Sequence, residues 1–224
     1  MSETFFITGS DTSVGKTFVT TSLVHQLRAQ KKAVSALKPV ISGFAEGEGS
    51  DTEQLLRAMS LAVNPVTIDA ISPWRFAAPL APSIAAAQEG RDIVFPELID
   101  YCTLPRVSDI ILIEGAGGVM APLNSNHTVL DWMVTLDVPV IMVVGTYLGA
   151  VSHALTAGEV MLARGLKIQA VVVSESENAA MDAAQTAMLL KPYMPYAKYI
   201  VPLPRVAGEG NLWQHTADLT WILT

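Results

Sequence analysis

Lys16 and Thr17 close a run, Gly9-Ser10-Asp11-Thr12-Ser13-Val14-Gly15-Lys16-Thr17, that follows the apolar Thr4-Phe5-Phe6-Ile7-Thr8 and opens a helical pattern. An ammonium and a hydroxyl behind a glycine-rich turn suit the handling of a phosphate chain. Glycines let backbone N–H groups converge on phosphate oxygens at a helix N-terminus, where the partial positive charge favours an anion. In such a loop Lys16 reaches the β- and γ-phosphates, and the Thr17 hydroxyl ligates Mg²⁺. The spacing is one residue longer than G-x-x-x-x-G-K-[ST], so the generic pattern passes over it. The loop predicts a nucleoside triphosphate site that takes in Ser13, Val14, Gly15, Lys16, Thr17 and Phe18.

Further candidates sit where apolar runs end. In open α/β sheets, ligands bind outside the carboxyl ends of the strands. Lys38-Pro39 closes the second apolar run, with Ser42-Gly43 shortly behind it. Position alone leaves Lys38 equally readable as a solvated strand-end lysine, and Ser42-Gly43 as a plain turn. Glu114-Gly115-Ala116-Gly117-Gly118 ends the run that starts Asp109-Ile110-Ile111. An acid there suits a carboxylate meeting Mg²⁺ beside the γ-phosphate, with glycines behind it that admit close approach. Asp51 is a second candidate metal ligand, and equally a cap for the helix that follows. One hydroxyl, two carboxylates, phosphates and water would fill the six-oxygen shell that Mg²⁺ prefers.

The elements that must position these groups alternate. Strand patterns fall at 5–8, 33–37, 110–113, 138–144 and 168–173, with helical patterns at 18–30, 52–59, 96–102, 130–135, 153–164 and 180–190. A C-terminal helix over 213–223 is a weaker pattern. Pro96 suits a first helical position. Residues 46–50 read as a flexible surface loop and 79–82 as a rigid turn. Such alternation implies βαβ units and an α/β doubly wound, mainly parallel sheet of the P-loop type, with helices on both faces. No repeat or linker divides residues 1–224, so one domain is expected.

Composition narrows the function. The chain has 224 residues, 50% of them hydrophobic, and a net charge of -7. Nucleic acid or an anionic membrane calls for a basic footprint, so neither is an expected partner. A lone cysteine, Cys102, reads as a small buried hydrophobe and fits a reducing compartment. With no leader pattern and no membrane-length apolar run, a cytoplasmic location is expected. The four histidines show no ligand spacing.

These pieces in this order resemble the dethiobiotin synthetase family over most of the chain. The carriers are the long loop 9–17, Lys38-Pro39-Val40 with Ser42-Gly43, Ser50-Asp51, and Glu114-Gly115-Ala116-Gly117-Gly118. Phe76-Ala77-Ala78-Pro79 running to Ala87-Gln88-Glu89-Gly90-Arg91 adds to them, as does Pro139-Val140 through Gly145 to Leu148-Gly149. The longer loop is the form that this family uses.

The resemblance implies ATP-dependent carboxylation of 7,8-diaminononanoate by CO₂, with ring closure to dethiobiotin, in a homodimer. It makes Lys38 the catalytic lysine, gives Thr12 and Ser42 contacts to the substrate, and gives Thr17, Asp51 and Glu114 the Mg²⁺. Gly115, Ala116 and Gly117 would line the nucleotide. Residues 149–153 are the candidate anion site for the substrate's carboxylate tail. Ser13 stands where the family commonly has an acid. Ser174-Glu175 replaces an Asn-Asp whose asparagine reads the adenine edge, so looser base selectivity is expected. Pro202-Leu203-Pro204 resembles the segment that flanks the base. Two alternatives compete: a regulatory or partitioning P-loop ATPase, and a duplicated family member with another substrate. The first class opens its loop with a Lys-Gly-Gly signature where this chain has Asp11, Thr12 and Ser13.

Overall fold

The computed structural model describes residues 2–45 and 49–224. The loop expected over 46–50 therefore falls outside the described residues at Glu46, Gly47 and Glu48. The main sheet holds β1 (Glu3–Gly9), β2 (Val34–Leu37), β5 (Ile110–Glu114), β6 (Val140–Val144), β7 (Ile168–Ser174) and β8 (Tyr199–Leu203). Their order is β2-β5-β1-β6-β7-β8, and every pairing is parallel. Strands buried on both faces read as continuous apolar runs, which is why β5, β6 and β7 were visible in sequence. β5 and β6, far apart in the chain, flank β1. The sheet thus winds in both directions from β1, and the loop after β1 stands at the switch point where α/β ligands bind.

A smaller parallel pair, β3 (Val40–Ser42) with β4 (Trp74–Phe76), extends the wall beside that point. Neither strand was expected, because three residues carry no resolvable period. β8 was missed for another reason. Pro202 lies inside it, and proline argues against a strand except at a sheet edge. β8 is that edge.

The helices are α1 (Lys16–Ala29), α2 (Asp51–Ala58), α3 (Pro65–Ile71), α4 (Pro82–Gln88), α5 (Phe95–Thr103), α6 (Val129–Leu136), α7 (Ala150–Ala163) and α8 (Ala183–Leu190). Pro82 opens α4 rather than ending a rigid turn, and Pro96 takes the second helical position of α5, not the first. The short α3 was not expected; Asn64 and Thr67 cap it reciprocally. α8 begins three residues later than its pattern because Asp182 caps it, accepting from Gln185 N at 2.7 Å.

The C-terminal helix expected over 213–223 is instead two 3₁₀ turns, Leu212–His215 and Thr220–Leu223. Gln26 of α1 takes up the backbone between them. Its amide donates to Ala217 O at 2.8 Å and accepts from Leu219 N at 2.8 Å, so those groups are lost to an α-helical ladder. The core includes the fully buried Phe6 and Trp132, edge to face at 4.9 Å. Cys102 is buried as expected, and burial pushes its thiol up to about 12. Among the described residues, no helix is long and apolar enough to cross a membrane.

Candidate active site

The loop between β1 and α1 is shaped by two glycines. A Cβ on Gly9 would lie 2.7 Å from Asp11 O and 2.8 Å from Val14 Cγ2, so the tight turn admits no side chain there. Gly15 precedes α1 with φ 93°, a left-handed conformation that glycine adopts freely. Lys16 folds back over the loop and donates to Asp11 O at 3.1 Å.

Four charged or hydroxyl groups from four separate elements meet beside it. Glu114, fully buried, is the last residue of β5, next to β1. Lys38 follows β2, beyond β5. Thr17 lies in the first turn of α1, and Asp51 is the first residue of α2. Lys38 Nζ donates to Glu114 Oε1 at 2.6 Å, to Thr17 Oγ1 at 3.2 Å and to Asp51 Oδ2. Thr17 in turn donates to Glu114 Oε1 at 2.7 Å. The solvated-lysine reading of Lys38 is overturned, since its side chain is 7% exposed. The capping reading of Asp51 falls too: Ser50 caps α2, accepting from Glu53 N at 3.2 Å, which leaves the Asp51 carboxylate to Lys38.

The electrostatics follow from this packing. Burial works against charge on Lys38 but is outweighed by Glu114 and Asp51, which hold its ammonium above the ordinary lysine range. Burial likewise opposes ionisation of Asp51, and Lys38 and Thr17 hold it below the usual carboxylate range. Lys16 lacks such a partner. Burial, then the neighbouring Lys38, pushes it down to about 8, against weaker pulls from Glu114, Asp51 and Asp11. A phosphate chain would supply the negative charge that Lys16 is missing.

Lys16, Thr17, Lys38 and Asp51 border a cavity of about 870 Å³, with Glu114 buried behind Thr17 and Lys38. Its walls include Thr12, Ser13, Gly15, Lys16, Thr17, Phe18, Lys38, Ser42, Asp51, Ala116 and Gly117. Val14 is instead buried in the core, and Gly115 packs against Phe6 and Val129. Two polar atoms near the cavity lack partners: Ser42 Oγ and Glu114 Oε2, both buried. Sequence reasoning missed the outer wall, where Gln54 and residues 79–82 face the same space. The Phe76-to-Arg91 stretch was the signal for it, since it leads into α4.

The oxygens of Thr17, Asp51 and Glu114 form a donor set suited to a hard divalent cation. They share one cationic neighbour, and Glu114 keeps a spare buried oxygen, so the set fits Mg²⁺. With two carboxylates and a hydroxyl, the set is not a cluster of three acidic, His or Cys side chains, and none is found among the described residues.

Ser174, Glu175, Pro202, Leu203 and Pro204 lie apart from this cavity, at the β7–β8 end of the sheet. The two segments are brought together, with Ser174 opposite Leu203 and Glu175 N donating to Leu203 O at 3.0 Å. Ser174 touches the loop: its Oγ lies 2.7 Å from where a Cβ on Gly15 would be. The Gly149 turn that starts α7 has φ 99° and no side-chain cap.

A parallel sheet with a glycine-rich phosphate loop at its switch point defines the class as a P-loop nucleotide-binding α/β protein. Residues 3–198 match the AAA domain family. The chain is 46% identical to an ATP-dependent dethiobiotin synthetase of Methylobacterium nodulans, covering 79% of this chain and 82% of that protein. It is 44% identical to another from Caulobacter vibrioides, covering 92% and 94%. The chain belongs to the ATP-dependent dethiobiotin synthetase family, which makes it an ATP-dependent ligase. A ParA family ATPase from Chlorobium tepidum shares the fold at a TM-score of 0.51 and 12% identity, covering 90% of this chain and 85% of that one.

Proposed function

We propose that the chain closes the ureido ring of dethiobiotin from 7,8-diaminononanoate and CO₂ at the cost of one ATP, as a cytoplasmic homodimer with the single site-bearing domain described. One amine of the substrate adds to CO₂, giving a carbamate and releasing a proton. The carbamate oxygen attacks the γ-phosphorus of ATP, and the bond to ADP breaks. The second amine then attacks the carbonyl carbon of the carbamic–phosphoric anhydride and expels phosphate. Both amines belong to one molecule, so closure is effectively unimolecular once the chain is held.

The observation that carries this reading is the convergence of Lys38 with Thr17 and Asp51 at the wall of the cavity and with Glu114 behind it. Carbamate and γ-phosphate are both anions, and bringing them together needs concentrated positive charge. Lys16 serves the phosphates. Lys38 turns from its carboxylates to the carbamate and the transferring phosphoryl group, where negative charge develops. Ser42, with a buried hydroxyl lacking a partner, and Thr12 meet the substrate's amine and carbamate groups. Thr17, Asp51 and Glu114 hold Mg²⁺, which when bound neutralises charge on the phosphates. Ser13 to Phe18 with Gly115 to Gly117 enclose the phosphates, Val14 and Gly115 through their backbone only, while Ser174, Glu175 and residues 202–204 border the base. The uncapped start of α7 receives the substrate's carboxylate tail.

The decisive measurement is ADP, phosphate and dethiobiotin formation with each component omitted in turn. Turnover is expected only with diamine, CO₂ and ATP together. ATP hydrolysis at the same rate without the diamine would instead support a regulatory ATPase.

A further inference from the structure

Asp11 lies in the phosphate loop, yet its carboxylate reaches out of it. Oδ1 accepts from the Thr12 backbone N–H at 2.7 Å, and Oδ2 accepts from the Tyr147 hydroxyl at 2.7 Å. Tyr147 belongs to the loop between β6 and α7, 136 residues further along the chain. Its hydroxyl also lies 2.8 Å from Nδ1 of His153, in the first turn of α7. Chemistry fixes the proton direction at the carboxylate. The phenol spends its hydrogen on the carboxylate, so the 2.8 Å contact is a hydrogen bond in the tautomer or protonation state of His153 that carries hydrogen on Nδ1. Asp11 is held below the usual carboxylate range: burial opposes this, but Tyr147, the Thr12 N–H, His153 and Lys16 outweigh it.

The fold makes room for this contact. A Cβ on Gly145 would lie 2.8 Å from Tyr147 Cδ1, so the ring folds back over a position where only glycine fits. On its other side, the Asp11 carbonyl holds Lys16 Nζ at 3.1 Å. Asp11 therefore fixes a backbone N–H with one oxygen and the phosphate-binding ammonium with another. Only its remaining oxygen is tied to a different element.

His153 Nδ1 also lies 3.5 Å from Asp11 Oδ2 itself. We propose that Tyr147, with His153 beside it, is a positioning residue that locks Asp11 and thereby presets the phosphate loop for nucleotide. It touches neither the phosphates nor the reacting atoms. Its contribution is preorganisation: without the tie, Asp11 and the Thr12 N–H sample other arrangements, and binding nucleotide must order them. The inference rests on the loop being a nucleotide site.

The test is a double-mutant cycle on the intact enzyme, Tyr147→Phe and Asp11→Asn, each alone and combined. Phe keeps the ring over Gly145. Asn keeps one oxygen for the Thr12 N–H and cannot accept from the phenol with its NH₂ group. Dissociation constants for MgADP come from calorimetry, and KM and kcat for ATP from turnover. Each single change is expected to raise Kd and KM about fivefold, in line with one lost hydrogen bond of ordinary net strength at a carboxylate that is partly open to solvent, with kcat within about twofold. The double variant should be no worse than the single ones, because both remove the same tie. Tyr147→Phe with Kd and KM within about twofold of wild type overturns the proposal, and so do effects that multiply in the double variant. Failure of the wild-type enzyme to bind MgADP would instead reject the nucleotide site itself.

Discussion

The two halves of the nucleotide site are built from different materials. On the β2–β5 side of the phosphate loop, Lys38, two carboxylates and one hydroxyl interlock beside Lys16, and all of them but Asp51 are buried. On the β7–β8 side, Ser174 offers one hydroxyl packed at Gly15, and Glu175 carries a carboxylate that accepts from Arg205 N at 3.4 Å. Charge in a site shielded from water acts strongly and depends on every partner being present. A hydroxyl and a solvent-facing acid act weakly. On the proposed reading of the site, discrimination and catalysis are expected at the phosphate end and a permissive base end at the other.

The contrast breaks most severely at Lys38. Lys38→Gln is expected to lower kcat roughly 100-fold, the usual loss when one group aimed at developing charge is removed. MgADP affinity should fall far less, because Lys16 and the loop backbone remain. Steady-state kcat beside a calorimetric Kd checks this; a kcat within about threefold of wild type would leave Lys38 as a structural counterion only. Nor is Lys38 free of structural duty, since its ammonium is what offsets Glu114 in the core.

Asp51→Asn and Glu114→Gln test the same half at smaller amplitude. Each is expected to raise the Mg²⁺ concentration for half-maximal turnover by about tenfold or more, since even groups behind a metal's ligands are worth about that much. Ser50 supplies the control. It caps α2, so Ser50→Ala should cost about 1 kcal/mol of stability with the Mg²⁺ requirement unmoved. A Mg²⁺ titration of the three variants, with thermal melts alongside, separates ligand from cap. An unchanged requirement in Asp51→Asn would remove Asp51 from the metal.

How much of this was legible in the chain depended on whether the signal was local. Strands β1, β2, β5, β6 and β7, the loop and its helix follow from apolar runs and glycines close together in sequence. Lys38, Asp51 and Glu114 were legible as candidates because each ends or begins an element. That Thr17, Asp51 and Glu114 gather at one point was expected, but the pairing of Lys38 with both acids was not, because it depends on strand order: β5 comes to lie between β2 and β1. For Asp51 the two readings were separated by its neighbour. Ser50 and Asp51 are both capable caps, and once Ser50 takes the Glu53 N–H, Asp51 is free to turn to Lys38. Tyr147 gave no signal at all, since its partner Asp11 is in a motif already assigned to phosphate. At the other end, Pro202 hid β8, and with it the pairing that brings residues 202–204 alongside Ser174.

The smallest effect is expected at the base, and it is the sharpest measure of the difference between the two halves. An asparagine amide offers a donor and an acceptor that match the N6/N7 edge of adenine as a bidentate pair, worth ~1–3 kcal/mol of discrimination. Ser174 ends β7 with a single short hydroxyl, already crowded against Gly15, and cannot span both atoms. The Glu175 carboxylate could accept from an exocyclic amino group, but adenine, guanine and cytosine all carry one. Its backbone is committed, because its N–H goes to Leu203 O. Phosphate and Mg²⁺ contacts would ignore the base, and on the proposed reading they are expected to dominate binding. GTP and CTP are therefore expected to support turnover with kcat/KM within about tenfold of ATP, a spread of ~1.4 kcal/mol. Measuring kcat/KM for the three nucleotides at saturating diamine and CO₂ decides it. A preference for ATP above roughly 100-fold would mean that the backbone around residues 202–204 reads adenine after all, and the two halves would then differ in chemistry but not in selectivity.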